Sequence, residues 1–304
     1  MKLDFSQHSQ MLSRLKIAFA IALSVALLEL IGGVLSNSLA LLSDAAHVFI
    51  DALSLGIALF AIKIAAKPHT PSLTYGYHRV EILAAFVNGA TLIGVSAFIF
   101  YEAYRRFLEP PQVSSDLMII FASIGLIANL VMVKILAKHS NESLNVRGAF
   151  LHVIGDALAS VGVIAGGVAI AFTSLNIIDL LVGVFIGAII LRSAIKICKD
   201  CTRIFLEGTP KEVDIMEVKS EIEGVEGVKE VHDLHVWTIT SGMDALSGHI
   251  VVKDQMLSQS QVILSRLNDM LKEKFGLYHS TLQLENQNDL IQPKKLSDEN
   301  DNSA

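Results

Sequence analysis

The sequence predicts a polytopic α-helical membrane protein with six transmembrane helices, followed by a small α+β domain. Hydrophobic residues make up 52% of the 304-residue chain and charged residues only 18%, whereas soluble proteins carry about 25% charged residues. In the first two-thirds, the apolar residues fall into runs of roughly 20, the length that a helix needs to cross a bilayer. Beyond Gly208 these runs stop, and the pattern becomes that of short helices and strands.

Six apolar runs define the predicted spans of a transmembrane domain covering residues 1–207. They lie near residues 15–36, 40–62, 81–104, 116–137, 147–171 and 175–197. Only Ser36-Asn37-Ser38 joins the first two, which predicts a tight hairpin. The first run has no small-residue cleavage site and is long enough to span, so we do not expect a cleaved signal peptide.

The basic residues lie mostly on one side of these spans. The opposite side holds only Arg105 and Arg106, which are accompanied by acidic residues. Because loops rich in Lys and Arg stay in the cytoplasm, both termini are predicted to be cytoplasmic in a multi-pass protein of the cell (plasma or inner) membrane. The basic residues on the predicted cytoplasmic side include Lys2, Arg14, Lys16, Lys63, Lys67, Arg79, Lys134, Lys138, Arg147, Arg192, Lys196, Lys199 and Arg203.

The sequence after the transmembrane domain predicts a second domain, with the element order αββαβ over residues 208–286. Helices are expected at 211–223 and 258–274, and strands at 228–239, 245–253 and 280–285, with Ser241-Gly242 as the turn between the first two strands. Residues 287–304 are polar and predicted to be disordered. From Gly208 onward, 9 Lys/Arg stand against 17 Asp/Glu, a net charge of −8. This charge argues against nucleic acid and suits divalent cations.

Two His-Asp pairs with the same spacing lie inside the second and fifth spans, as His47-x-x-x-Asp51 and His152-x-x-x-Asp156. Residues i and i+4 of a helix share a face, and ionisable residues inside spans mark functional sites. Together the pairs supply four ligands, the number that zinc takes, and their two carboxylates balance a divalent ion. The alternative is that each pair is a hydrogen-bonded brace within the bundle. The repeated spacing favours one shared metal site.

The chemistry of these ligands predicts exchange of metal for protons. Metal binding needs neutral imidazole and ionised carboxylate, so loading releases protons and protonation releases metal. If such a site faces one side of the membrane and then the other, it acts as an antiporter.

The two pairs, together with Ser43-Asp44-Ala45 and His232-Asp-Leu-His235-Val-Trp237, resemble the cation diffusion facilitator family, most closely its zinc/cadmium/cobalt resistance branch. The resemblance implies a homodimer in the lipid bilayer that exports Zn²⁺, with Cd²⁺ and Co²⁺ as further candidates, from the cytoplasm. Inward protons and alternating access would drive this export. It also implies a cytoplasmic ferredoxin-like domain that binds Zn²⁺ as a regulatory ion and helps to hold the dimer. Related transporters can carry Asp where this chain has His47, and a nitrogen ligand favours zinc over magnesium or manganese.

The same resemblance points to a second metal site in the cytoplasmic domain, formed by His232, His249 and Glu285. Gln283 occupies a further ligand position of the family and is a poor zinc ligand. Strand alternation places His232 and His235 on opposite faces unless a bulge intervenes, so His235 and His279 are kept only as possible substitutes.

Two other classes of protein compete with a transporter. An integral-membrane metalloenzyme would need an open zinc position and a nearby general base, but no His-Glu-x-x-His motif occurs. We therefore predict that the chain is not an enzyme. A membrane metal sensor would use the cytoplasmic site and not the spanning one. Among the other polar residues in the spans, Asp44 and Asn88 are candidates to line the ion path, Asp179 to cap span six, and Glu29 to face the same cavity or a partner helix. For most of them we expect a role in packing or hydrogen bonding.

Overall fold

The structure, a computed structural model, describes residues 5–65, 70–137 and 144–286. The side chains of residues 5–18 are not described, nor are several near the end of the second and fourth helices and at the start of the fifth. The predicted disordered tail, 287–304, lies outside the described residues. The chain divides into two compact units, Met1–Lys199 and Asp200–Ala304.

Long helices build the first unit. They are α1 (Phe5–Ser36), α2 (Leu39–Ala65), α3 (Arg79–Leu108), α4 (Ser115–Ala137), α5 (Leu144–Thr173) and α6 (Ile177–Phe205). Five helices, α1, α3, α4, α5 and α6, are each long and apolar enough to cross a membrane when only the described residues are considered. Several side chains of α2 are not among the described residues. The predicted multi-pass helical fold is confirmed.

Several helices continue past the apolar runs that predicted them. α3 ends at Leu108 instead of near residue 104, and α6 ends at Phe205 instead of near residue 197. In α3 the extra turn carries an ion pair, since Nε of Arg106 donates to Oε1 of Glu102 at 3.0 Å. Because pairs at i and i+4 stabilise a helix in water, the helix does not stop where the hydrophobic run stops.

Helix packing brings α2 against α1, α3 and α5, while α4 packs against α1 and α5. The tight α1–α2 hairpin is confirmed. Asn37 takes a left-handed backbone conformation with φ of 54°, and the amide of Ser38 donates to the carbonyl of Gly33 at 3.0 Å. The apolar core of this unit is shared by α2–α6 and includes Leu41, Ile50, Leu92, Ile99, Met118, Val163, Ile186 and Ile190.

The second unit contains the predicted αββαβ order, which is confirmed. Its elements after α6 are α7 (Ile215–Glu223), β1 (Val228–Thr240), β2 (Met243–Val252), α8 (Leu257–Phe275) and β3 (His279–Asn286). The sheet order is β1-β2-β3, with β1 antiparallel and β3 parallel to β2. Both helices contribute to one apolar core with the sheet, which includes Val218, Ile222, Val231, Val236, Leu246, Ile250, Leu267 and Leu271.

The first helix of this unit begins later than predicted. The sequence predicts a start at residue 211, directly after Pro210, but α7 starts at Ile215. Asp214 is the reason, because its carboxylate accepts a hydrogen bond from the amide of Met216 at 2.8 Å. An aspartate in this role satisfies an otherwise unpaired amide of the first turn and marks the N-cap.

Candidate metal centre

The middle of α2 presents an imidazole and a carboxylate on one face. His47 and Asp51 are one helical turn apart, and Nε2 of His47 lies 3.6 Å from Oδ2 of Asp51. Both side chains are about three-quarters buried, with 22% and 25% of their surfaces exposed. The i, i+4 spacing in the sequence therefore produces the local pair that it predicted.

α5 adds a second carboxylate to this pair. Oδ1 of Asp156 lies 3.6 Å from Nε2 of His47, and the ligand atoms of His47, Asp51 and Asp156 all lie within 4.8 Å of one another. A tetrahedral zinc ion with bonds of about 2.0–2.1 Å separates neighbouring ligand atoms by about 3.4 Å. The spacing of these three side chains thus fits one zinc ion with little adjustment.

The fourth predicted ligand, His152, belongs to α5 one turn before Asp156. Its side chain lies outside the described part of the structure, so its participation stays a prediction. The helical turn that carries His152 directly precedes the turn that carries Asp156.

A cavity of about 670 Å³ opens beside these ligands. His47, Asp51 and Asp156 line it, together with Asn88 of α3 and apolar side chains of α6. Nδ2 of Asn88 donates to Oγ of Ser54 at 2.5 Å, and Ser54 donates in turn to the carbonyl of Ile50 on α2. Asn88 therefore makes a hydrogen bond to α2 and lines the same cavity as His47, Asp51 and Asp156.

Asp179 does not act as the predicted cap of span six. Its carboxylate instead accepts hydrogen bonds from the N-terminus of α2: from Oγ of Ser38 at 2.5 Å and from the amides of Leu39 at 2.6 Å and Ala40 at 3.1 Å. The first turn of α2 has free amides that attract a carboxylate. Oγ of Ser38 accepts from the amide of Leu41 at 3.0 Å, and the carboxylate that binds the two preceding amides comes from α6.

In the second unit, β1, β2 and β3 bring three predicted ligands together. His232 and His249 are direct partners across the β1–β2 ladder, and Glu285 lies on β3 beside β2. Nε2 of His232 is 3.1 Å from Oε2 of Glu285, and Nδ1 of His249 is 2.8 Å from Oε1. All three ligand atoms lie within 4.8 Å of one another, and Glu285 is buried.

These residues fit a zinc ion. Imidazole nitrogen and carboxylate oxygen are zinc ligands, and three protein ligands with a fourth position for water are a common set. The buried Nδ1 of His249 lies close to Glu285, but among the described residues it has no partner in hydrogen-bond geometry. A bound cation would give that nitrogen its missing interaction.

The two substitute histidines are not brought into this group. A register shift interrupts β1 between His232 and His235, and Asp233 at that point has a φ of 51°. The resulting bulge turns Asp233 toward its neighbours, where Oδ1 is 3.0 Å from Nε2 of the exposed His235 and Oδ2 is 4.0 Å from Nε2 of His249. His279 is exposed at the opposite end of β3 from Glu285.

Gln283, by contrast, reaches the site. Its Nε2 donates to Oε1 of Glu285 at 3.0 Å, so it supports a ligand while adding none of its own. Sequence reasoning missed Asp233 as a neighbour of His249, because regular alternation placed it on the opposite face. The one feature of the sequence that could have indicated the bulge is the Asp at position 233, because Asp tolerates left-handed backbone conformations better than most residues.

Comparison with known proteins identifies the family of the chain. A family model described as the cation efflux transmembrane domain matches residues 15–206, and one described as the cation efflux protein cytoplasmic domain matches residues 210–287. The chain is 44% identical over 274 residues to a cadmium, cobalt and zinc/H⁺-K⁺ antiporter of Bacillus subtilis, covering 89% of this chain and 88% of the relative.

The chain is also similar to a metal cation efflux system protein, CzcD, of Cupriavidus metallidurans. The two are 44% identical over 89% of this chain and 85% of the relative. The zinc transporter ZitB of Pectobacterium atrosepticum is 37% identical over 90% of this chain and 85% of the relative. The solved metal-bound C-terminal domain of the same CzcD transporter is 41% identical, with a TM-score of 0.22, and covers 24% of this chain and 99% of that one. The chain thus belongs to the cation efflux family, as a multi-pass membrane protein that transports metal cations and is not an enzyme.

Proposed function

We propose that this protein exports Zn²⁺ from the cytoplasm in exchange for protons, through an intramembrane site made of His47, Asp51, His152 and Asp156. The observation that carries the proposal is the approach of His47 to two carboxylates from different helices, at 3.6 Å each, beside a cavity of about 670 Å³. Similar proteins named as zinc transporters and as antiporters support the substrate and the exchange.

The donor set explains how metal and protons exclude each other. Zinc uses the lone pair of a neutral imidazole and the charges of ionised Asp51 and Asp156. A proton on His47 removes its lone pair, and a proton on either carboxylate removes part of the charge that balances the ion. Each arrival of one cation therefore promotes departure of the other.

Transport further requires that the site open to one side of the membrane at a time. We propose alternating access of a homodimer whose termini are cytoplasmic, with residues 1–207 as the transmembrane domain and 208–286 as the cytoplasmic domain. The excess of Lys and Arg on one side of the spans supports that orientation. Cd²⁺ and Co²⁺, which accept the same ligand types, are further candidate substrates.

Zinc flux into proteoliposomes containing the full chain tests this function. Wild-type protein is expected to move zinc faster under an imposed pH gradient. Asp51→Asn and Asp156→Asn are expected to reduce this flux at least tenfold, because each removes a charged ligand without changing the size of the side chain. Asp116→Asn is the matched control, since Asp116 is an exposed carboxylate in the first turn of α4.

Two results would contradict the proposal. Wild-type flux that is indifferent to the pH gradient would rule out proton exchange. Flux in Asp51→Asn and Asp156→Asn equal to that of Asp116→Asn would rule out the site.

The second group, His232, His249 and Glu285, is proposed to bind a resident regulatory zinc ion. Support comes from the 3.1 Å and 2.8 Å approaches of the two imidazoles to one buried carboxylate. In equilibrium dialysis of the full chain, a His232→Ala, His249→Ala double variant is expected to bind at least one zinc ion per protomer fewer than wild type. His279→Ala, which removes an exposed histidine of the same domain, is expected to match wild type. Equal zinc content in the double variant would refute this role.

A further inference from the structure

A carboxylate of α1 lies buried in the membrane domain outside the proposed zinc site. Glu29 has only 1% of its surface exposed, and neither carboxylate oxygen has a hydrogen-bond partner among the described residues. An unaccompanied charge at membrane depth costs several kcal/mol, so this group must either carry a proton or lie beside another cation.

The neighbouring helix α4 is shaped to receive this carboxylate. A side-chain carbon placed on Gly125 would collide with Oε1 of Glu29, so only glycine leaves room for the carboxylate. One turn further along the same face of α4, Asn129 is buried to 98%, and its Nδ2 also lacks a partner within the described residues. The absence of a side chain at Gly125 therefore provides the space that the Glu29 carboxylate occupies.

α2 supplies a second buried carboxylate to the same region. Asp44 has 1% of its surface exposed; its Oδ2 accepts a hydrogen bond from Oγ of Ser160 at 3.4 Å, while Oδ1 has no partner in the described part of the chain. When ionised, Glu29 and Asp44 repel each other and are repelled by Asp156, and the same Oγ of Ser160 lies 3.1 Å from the carbonyl oxygen of Asp156. Of the described residues, neither Glu29 nor Asp44 lines the cavity beside the zinc ligands.

Zinc would neutralise Asp51 and Asp156, and among the described residues no cationic side chain pairs with Glu29 or Asp44. The polar groups that these two carboxylates have nearby are each other, the hydroxyl of Ser160 and the amide of Asn129. Oxygen ligands of this kind suit protons and hard cations better than zinc. Because Asp156 interacts with both carboxylates, a cation near Glu29 and a zinc ion on Asp156 repel each other.

We propose that Glu29 and Asp44 form a second cation site, between α1, α2 and α4, which takes a monovalent cation in addition to the protons that compete with zinc at its ligands. The occupant is a proton or an alkali cation, and the repulsion described above couples its departure to the arrival of zinc. This inference rests on the proposed function, because it adds to that exchange a counter-ion bound outside the zinc ligands.

The test uses full-length protein in proteoliposomes and measures zinc flux with no gradient, with a pH gradient alone and with a potassium gradient alone. The gradient that stimulates wild-type flux identifies the counter-ion. Glu29→Gln and Asp44→Asn, which preserve side-chain size, are expected to reduce the ratio of gradient-driven to gradient-free flux to at most half of the wild-type value. Gly125→Ala is expected to lower the same ratio by displacing Glu29.

Matched controls are Gly94→Ala, where an added carbon meets no atom within 4 Å, and Ser96→Ala, which removes a buried hydroxyl of α3. Both are expected to keep the wild-type ratio. Zinc binding to each purified variant is measured in parallel, and Asp51→Asn is expected to lose it while Glu29→Gln retains it.

Wild-type ratios in Glu29→Gln and Asp44→Asn would overturn the second site. Loss of zinc binding in Glu29→Gln would also overturn it, by making Glu29 a part of the zinc site. If Glu29→Gln does not fold, Asp44→Asn and Gly125→Ala decide by the same ratio. A wild-type protein that binds and moves zinc without response to either gradient would instead refute the exchange itself.

Discussion

Replacing Asp179 with alanine is expected to destabilise the membrane domain strongly. The buried Asp179 carboxylate holds the first turn of α2 by accepting hydrogen bonds from Ser38, Leu39 and Ala40 at 2.5–3.1 Å. Nη1 of Arg106 lies 3.9 Å from its Oδ2. Asp179→Ala would leave these three donors without their acceptor and would remove the carboxylate that lies beside the Arg106 guanidinium.

The magnitude follows from those contacts. A hydrogen bond to a charged group contributes about 1.5–3 kcal/mol, and removing one partner of a buried charged network costs about 3–5 kcal/mol, because the contacts are not additive. We therefore expect Asp179→Ala to lower the free energy of unfolding by about 4 kcal/mol. Asp179→Asn keeps one carbonyl oxygen as acceptor and is expected to lose about half as much.

Denaturant titration of the full chain in mixed micelles measures this loss. Asp116→Ala is the matched control, since it also removes a carboxylate from the first turn of a helix but from an exposed position. Its loss is expected to be about 0.5 kcal/mol. If Asp179→Ala cost no more than Asp116→Ala, the three hydrogen bonds would not hold α2 and the reasoning would be refuted.

Three further predictions concern the second unit. Leu267→Ala, at a fully buried position, is expected to lower the free energy of unfolding of the domain by about 2–5 kcal/mol, whereas Val262→Ala, at a position 51% exposed, changes it little in the same denaturant titration. Gln283→His is expected to tighten zinc binding at least tenfold in equilibrium dialysis of the full chain, because it adds a ligand next to Glu285; unchanged affinity would mean that this position does not face the ion. Hydrogen bonds to Glu221 and to a second glutamate of α7 raise the pKa of Lys274, so its contribution to stability is complete at neutral pH and is lost only as the pH rises through that raised pKa. Lys274→Met is therefore expected to leave the pH profile of the unfolding midpoint unchanged between pH 6 and 8, and a slope that appears there would contradict this.

The sequence was most informative where function follows from local spacing. His47 and Asp51 share a face because a helix repeats every 3.6 residues, and no knowledge of the bundle is needed to see it. The repeat of that spacing at His152 and Asp156 then predicted which two helices must meet. The approach of Asp156 to His47 at 3.6 Å is the part of that prediction that the described side chains can test.

Local rules were less informative where a residue serves a distant element. An acid in the first turn of a helix is expected to cap that helix, yet Asp179 caps α2, about 140 positions earlier in the chain. The sequence carries no signal for this pairing, because Ser38 offers a local acceptor to the amide of Leu41, whereas the acceptor of the amides of Leu39 and Ala40 is about 140 positions away. In β1 the bulge at Asp233 is likewise set by pairing with β2, and the period-two pattern contains no trace of it.

The contacts of α2 limit how the proposed alternating access can proceed. Its first turn is bound to α6 through Asp179, its next turn carries Asp44 of the proposed counter-ion site, and its middle carries His47 and Asp51 of the proposed zinc site. If α2 tilted alone, it would break three charge-assisted hydrogen bonds, at a cost of several kcal/mol. A motion that carries the adjoining end of α6 with α2 keeps those bonds and still changes the distance between Asp51 on α2 and Asp156 on α5. We therefore expect α2 and α6 to move as one body at the Ser38 end, and a disulfide engineered between them there to leave transport intact. A crosslink between α2 and α5 near the zinc ligands is expected to stop it.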